Sequence, residues 1–409
     1  MRSALRREFP PGVISVYLLM MLMTTTEGTA QLLLPPYLDG YGYALPVIGA
    51  LVSLLSVTRL ASRIPVGAAY GAQRAKRMAI AAMAGLSVAT GGFALADGQL
   101  VPVAALTLAH GFAFGSLGTL LLAAIIDMTG GHRAGSIMAW YTAALSTGYS
   151  LGAFAGGAIA DAYGIGTAFL IAGALPLAGV AVVLRVPAFH GPPPVEGEAA
   201  VAGLRGVLGG IKRLDPRVWL AFVIVLYVNL ISDAVDAFFP IFGLAIGLSL
   251  SELGVLKGLK SAAATVIRFG SLALFRWVQP AVVNFWGVVV MAVATLALPL
   301  VSAFGAFVGL FVVLGFCRGL LRVTTAASVA ELRREGRGVG LASGVYNAGL
   351  DVGAIIGPTV GGLVANSVGI PLMFQLMAAL SLAVYFAVAF STASGRASIA
   401  LRPQPGPPA

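Results

Sequence analysis

Apolar residues in this chain gather into blocks of roughly 20, joined by short polar stretches. A helix of that length rises about 30 Å, the thickness of the hydrocarbon core of a bilayer. A water-soluble chain would instead alternate apolar and polar faces. Only 10% of the residues are charged, against about 25% in soluble domains. A membrane-spanning barrel would need alternating strands of about ten residues, a pattern this sequence lacks. The chain reads as an all-α integral membrane protein.

Twelve transmembrane helices are expected, near 13–36, 44–66, 77–96, 101–126, 135–159, 165–185, 217–241, 252–276, 281–302, 304–328, 339–364 and 370–392. The first is too long for a cleaved signal and lacks a small-residue cleavage pattern after it. Cys317 is the only cysteine, so no intrachain disulfide is possible.

Orientation follows from Lys and Arg. Arg2, Arg6 and Arg7 precede the first span, and Arg74, Lys76 and Arg77 lie between the second and third. Arg133, the basic residues around 205–217, Arg276, Arg333, Arg334 and Arg337 continue the same alternation. The other loops carry Asp39, Asp97, Asp161 and Glu252 and no Lys or Arg. The positive-inside rule then puts both termini and the middle linker in the cytoplasm, with the spans in a cell inner (plasma) membrane. The net charge of +10 is read as topology and attraction to lipid headgroups. Basic residues spread over many short loops make nucleic-acid binding a poor reading.

A Pro/Gly-rich break separates six spans from six. The expected organisation is an N-terminal half, 1–185, a cytoplasmic linker, 186–216, a C-terminal half, 217–395, and a cytoplasmic tail, 396–409. A shift of 205 positions brings Pro35 onto Pro240, Gly42 onto Gly247, Gly49 onto Gly254, Arg63 onto Arg268 and Tyr141 onto Tyr346. A constant shift held across six spans points to two halves of one topology, related by a pseudo-two-fold axis along the membrane normal.

The stretch "GLDVGAIIGPTVGG", residues 349–362, belongs to a run with Gly344, Gly353, Gly357, Pro358, Gly361 and Gly362. Its counterpart carries Gly148, Gly152, Gly156 and Gly157, with Ala153 at the proline position. This resembles the glycine-proline signature of the major facilitator superfamily, noted in helix five of its antiporters. The resemblance implies twelve helices in two halves, secondary transport by alternating access, and a monomer. The family's loop between helices two and three survives here as "GAAYGAQRAKR", which keeps Gly67 and the basic cluster Arg74, Lys76 and Arg77. Gly71 stands where the family has an Asp. Asp127 matches the acid that partners this loop, and Glu331 is its counterpart in the second half. Together with Arg63, these residues form the expected cytoplasmic gate. The Arg that many antiporters carry in helix four is missing, and that span offers His110.

At 100° per residue, Gly349, Gly353, Gly357 and Gly361 fall on one stripe. Such stripes let helix backbones approach closely in lipid. Since the resemblance implies that helices five and eleven face the opposite half, the stripe is expected to be a sliding seam, with Gly357 against the second span. Asp351 points away from it, beside Asn347 and Pro358.

Charges inside spans cost about 2.5–3.5 kcal/mol each on insertion scales, so they are usually paired or functional. Asn229, Asp233 and Asp236 share one face of span seven. Lys257, Lys260 and Arg268 share one face of span eight, and Arg318 and Arg322 stand a turn apart in span ten. Expected pairs are the aspartates of span seven with the lysines of span eight, Asp236 with Lys257 in particular, and Asp351 with an arginine of span ten. Glu27, flanked by Thr24 and Gln31, has no evident basic partner, and resembles the helix-one acid of some proton-coupled multidrug exporters. Glu27, Asp233, Asp236 and Asp351 are the proton-coupling candidates. Lys257, Lys260, Arg268, Arg318, Arg322, Asn229, Asn347 and His110 are the substrate-binding candidates.

No phosphate-binding loop, no Cys/His metal cluster and no hydrolytic Ser/His/Asp set is evident. The chain reads as no enzyme, with no cofactor and no metal. Its expected partners are a small-molecule substrate, protons and the lipid bilayer. Proton-coupled export of a small organic compound is the leading expectation. Proton-coupled uptake of a small organic anion is the alternative, supported by the basic excess in the C-terminal half. A non-transporting sensor or assembly factor on the same fold is the third.

Overall fold

The computed structural model describes residues 12–129, 134–185, 216–274, 279–334 and 339–391. The described residues form twelve α-helices and no strand. They are α1 (Val13–Gly40), α2 (Leu45–Ala69), α3 (Ala72–Gly92), α4 (Leu100–Thr129), α5 (Ala134–Tyr163) and α6 (Ile165–Arg185). The second set is α7 (Pro216–Ala245), α8 (Leu250–Leu274), α9 (Pro280–Ala297), α10 (Phe304–Arg334), α11 (Val339–Val368) and α12 (Ile370–Ser391). Ten of them are long and apolar enough to cross a membrane. The expected linker and tail lie outside the described residues.

The shift of 205 reaches down to single turns. It carries the bounds of α2 onto α8 and those of α5 onto α11 without remainder. Short 3-10 turns at Phe93–Leu95 and Leu298–Leu300 obey it too. So do left-handed glycines at the helix joints: Gly42 at φ 79° with Gly247 at 93°, and Gly164 at 87° with Gly369 at 84°. Each such joint needs a positive φ that other residues adopt at a cost.

Several helices outrun their expected edges. The first continues through Pro35 and Pro36 to Gly40. Proline removes a backbone donor, yet in a membrane bundle packed neighbours re-satisfy the freed groups. The αL turn at Gly42, not the proline pair, separates α1 from α2.

Within each half, a glycine helix packs on the first helix. A β-carbon on Gly152 would strike the Thr25 carbonyl of α1, and one on Gly357 would lie 2.5 Å from the Leu230 carbonyl of α7. Gly148 and Gly353 meet Met21 with Thr24, and Leu226 with Asn229, in the same register. This corrects the expected seam: the stripe Gly349, Gly353 and Gly357 joins α11 to α7 of its own half. Gly361 approaches Phe238 and Met377, also of that half.

The halves meet through the neighbouring face. Gly362 abuts Leu45 and Pro46 of α2, and Gly157 abuts Leu250 and Gly254 of α8. Gly49 abuts Pro358, and Gly254 abuts Ala153. Ser53 Oγ donates to the Ile355 carbonyl at 2.7 Å, and Ser150 Oγ to the Gly258 carbonyl at 3.0 Å. Every one of these pairs has its twin at 205. The α2–α11 and α5–α8 seams are therefore packed at the face opposite the start of α1. Large apolar side chains such as Val88, Leu380 and Phe390 point outward, as a lipid-facing surface requires. The protein is a multi-pass membrane protein.

A charged cavity between the two halves

A cavity of about 60 Å³ lies between the halves, lined among others by Glu27, Gln31, Arg59, Asp233, Asp236, Ala354 and Pro358. Both halves contribute. The volume admits a few waters, since one needs about 10–15 Å³ on this measure.

On the N-terminal side, Glu27 is fully buried. Its Oε1 accepts hydrogen bonds from Arg59 Nη2 and, at 2.7 Å, from Gln31 Nε2. Its Oε2 lies 2.6 Å from His110 Nε2. His110 Nδ1 lies 3.0 Å from Thr90 Oγ1, whose own proton goes to the Leu86 carbonyl at 2.8 Å. Thr90 has one proton to give and gives it away, so His110 Nδ1 must be a donor. The short Nε2–Oε2 contact then holds one proton, on the imidazole or on the carboxyl. Arg59 is steadied over the Phe114 ring at 4.6 Å, a cation–π contact.

These contacts correct one expectation. Glu27 has a basic partner, Arg59, and the substrate-binding candidate His110 sits fully buried against it. Sequence depth concealed Arg59. At 1.5 Å per residue it starts about 15 Å from the end of α2, and Glu27 about 21 Å into α1. A long guanidinium side chain spans the difference. Thr90 gave no signal, being one of many hydroxyls in apolar helices.

On the C-terminal side, Lys260 Nζ binds Asp236 Oδ1 at 2.9 Å and the Ser232 carbonyl at 3.3 Å. Arg318 stands 3.7 Å from Asp233 and 3.8 Å from Asp236, beyond hydrogen-bond length. Arg322 donates to Asn229 Oδ1, and Asn229 Nδ2 donates to the Leu350 carbonyl at 2.7 Å. Arg268 lies within electrostatic range of Arg318 and Tyr346. The expected Asp236–Lys257 bond is absent: Lys260, one turn on, takes that carboxylate. Lys257 is 7% exposed and its Nζ has no hydrogen-bond partner. Asp351 pairs across the seam with Arg63 of α2 at 3.0 Å, not with an arginine of α10. Asn347 is exposed and lies outside the cavity lining.

At the other end of the N-terminal half, Asp127 accepts a 2.7 Å hydrogen bond from Tyr70 Oη. Burial above all, then this bond, raises the Tyr70 phenol above its ordinary value. Sequence reading missed Tyr70, which lies in the worn loop motif itself. Arg74 and Arg77 are exposed, Lys76 Nζ binds the Leu184 carbonyl at 3.0 Å, and Gly67 lies near Thr119. The side chain of Glu331 and the surroundings of Gly344 lie outside the described residues.

The sequence model of the Major Facilitator Superfamily matches residues 16–305 and 282–408. The chain belongs to that superfamily. It is accordingly a membrane transporter rather than an enzyme, and its substrate is a small molecule. A search of curated proteins finds no match. Among solved structures, a bacterial homologue of the human lysosomal transporter Spinster, inward-facing and unoccupied, is 15% identical with a TM-score of 0.73. That match covers 96% of this chain and 98% of the homologue. The nucleoside transporter NupG is 13% identical with a TM-score of 0.74, over 92% of this chain and 98% of its own. At such identities the likeness shows the superfamily fold alone.

Proposed function

We propose that this transporter carries a small organic anion together with protons. The observation behind this reading is that Arg59 lines the cavity while its counter-charge, Glu27, is tied to buried His110. When the Glu27–His110 contact holds its proton the pair is neutral overall, and Arg59 faces no net negative charge. Arg59 then attracts an anion entering the cavity. Proton and anion thus favour each other's binding, which is the linkage that symport needs. Across a membrane with an inward proton gradient, this drives uptake. The export expected from sequence rested on Glu27, read as lacking a basic partner, and on the glycine signature. Both termini and the 186–216 linker are read as cytoplasmic in a cell inner membrane, with Glu27 and His110 as the coupling pair and the protein as a monomer.

The test uses purified protein in proteoliposomes. An imposed pH gradient, acid outside, should drive a labelled organic anion inward against its concentration, and an uncoupler should abolish it. Release of substrate in exchange for entering protons would restore the export reading. No gradient-driven flux for any substrate class would favour a sensor or assembly role.

A further inference from the structure

The two walls of the cavity differ in what they leave unbonded. Three carboxylates line it, Glu27 on the N-terminal wall and Asp233 and Asp236 on the C-terminal wall. Glu27 is fully engaged, with Arg59 and Gln31 on one oxygen and His110 at the other. The C-terminal pair is not. Asp236 Oδ1 accepts from Lys260, while its Oδ2 stands 3.8 Å from Arg318 Nη1. Asp233 Oδ1 stands 3.7 Å from Arg318 Nη2, and its side chain keeps 24% of its surface exposed. Both distances exceed hydrogen-bond length. An ionised carboxylate has about four acceptor sites, so this wall holds acceptors to spare.

It holds no negative charge to spare. Lys260 and Arg318 stand beside Asp233 and Asp236, so two cations balance two carboxylates, and Lys257 is buried in the same helix as Lys260. A neutral O–H donor suits such a wall. An ammonium would find the same acceptors but would meet the cations behind them. On the opposite wall the need is reversed. Arg59 gives one N–H to Glu27 and still lines the cavity, and a guanidinium has five N–H donors and a permanent charge. The surface between the two walls is apolar, with Leu34, Val52, Leu55, Ala237 and Ala354. The small volume favours a short carbon chain.

We infer that the substrate is a short hydroxycarboxylate, its carboxylate on Arg59 and its hydroxyl donating to Asp233, with Asp236 Oδ2 as a second acceptor. This deepens the anion reading above and rests on it. The two groups bind to different halves, so only a molecule carrying both joins the halves through itself. A site built to receive a hydroxyl also rejects the analogue that lacks one, because its acceptors are then left unpaired.

The experiment compares ligands of one short carbon skeleton on the reconstituted wild type. They are a carboxylate with a hydroxyl at its far end, the same acid with fluorine in place of the hydroxyl, the unsubstituted acid, the amino acid, and the neutral alcohol without the carboxylate. Each is tested for inhibition of labelled hydroxycarboxylate uptake and for thermal stabilisation. The hydroxycarboxylate should act at least tenfold more tightly than any of the others. Fluorine nearly matches the hydroxyl in size but cannot donate, so its loss isolates the hydrogen bond. In Asp233→Leu, which removes the acceptors, the ratio of hydroxy to fluoro affinity should fall by tenfold or more. Asp233→Asn, which keeps an accepting oxygen, should retain part of the preference. If Asp233→Leu does not fold, the wild-type series decides alone. Equal affinity for the hydroxy, fluoro and unsubstituted acids overturns the inference, as does a tenfold preference for the amino acid or an unchanged ratio in Asp233→Leu. Proton-driven uptake of all the carboxylates alike would leave the symport reading standing while sinking this one. Binding of the neutral alcohol alone would sink both.

Discussion

His110 Nε2 and Glu27 Oε2 stand 2.6 Å apart, on helices 83 residues distant in sequence, with neither side chain exposed. Glu27 lines the cavity and His110 stands behind it, so the pair meets the cavity through the carboxyl group. Glu27→Gln keeps the volume and the hydrogen bond to Gln31 but cannot carry the proton. Proton-driven accumulation should drop by roughly tenfold or more, while exchange of substrate down its own gradient persists. His110→Gln should act in the same direction and move the pH dependence of uptake. Normal accumulation in Glu27→Gln would remove the pair from the coupling mechanism.

Lys260 Nζ and Asp236 Oδ1 form a buried ion pair at 2.9 Å in the C-terminal half. Removing one partner strands the other, which costs about 3–5 kcal/mol in buried pairs. Lys260→Met and Asp236→Asn should therefore each lower thermal stability strongly. The double variant should recover much of the loss, with a coupling energy above roughly 1 kcal/mol. Additive losses in the thermal melts would show that the two groups act separately.

At the face where the halves touch, Asp161 of α5 accepts hydrogen bonds from the backbone N–H groups of Leu250 and Ser251, each at 3.3 Å. It caps the start of α8 from the other half. Hydrogen bonds with Ser251 above all hold its carboxyl below the ordinary range. Its pKa is depressed where the seam is closed, so its contribution is present above the usual carboxylate pKa of about 3.9 and is lost as pH falls through the depressed value. Physiological pH changes should leave this cap alone. Asp161→Ala should loosen the seam at every pH. The readout is the labelling rate of Leu253→Cys in a Cys317→Ser background, expected to rise several-fold. An unchanged rate would mean that the cap does not bear on closure.

Much of this architecture was legible because it repeats. The shift of 205 that aligned Gly49 with Gly254 in sequence also relates their contacts, Pro358 and Ala153, in space. The angle between the glycine stripe and Asp351 was legible too, since a helix fixes it at 100° per residue. Which neighbour each face meets was not, because a single helix does not encode the identity of the helices beside it. The stripe therefore lies on α7 instead of α2, and Asp351 reaches Arg63 of α2 instead of an arginine of α10. The charge pairs of the site failed on a finer scale. Lys257 and Lys260 are one turn apart on one face, and only packing decides which amine meets Asp236.

The stripe's place on α7 turns the glycines into a test of which interface is which. Gly357 touches the Leu230 backbone within its own half, while Gly362, only five residues on, touches Leu45 and Pro46 across the seam. Enlarging Gly357 to Leu forces α11 off α7, where a β-carbon already has no room. Overpacking of this kind costs about 1–3 kcal/mol, and more where backbone must move. Gly357→Leu should therefore reduce the melting temperature and the yield of folded protein, and its twin Gly152→Leu should do the same against Thr25. Enlarging Gly362 to Leu leaves both six-helix packings intact and wedges the halves apart instead. That variant should express and melt near normally, label faster at Leu253→Cys, and transport at least tenfold more slowly because one access state is disfavoured. Leu380→Phe, on a side chain 66% exposed on the outer surface, should change neither property. The reverse outcome, a stable but inactive Gly357→Leu beside an unstable Gly362→Leu, would return the stripe to the seam between the halves.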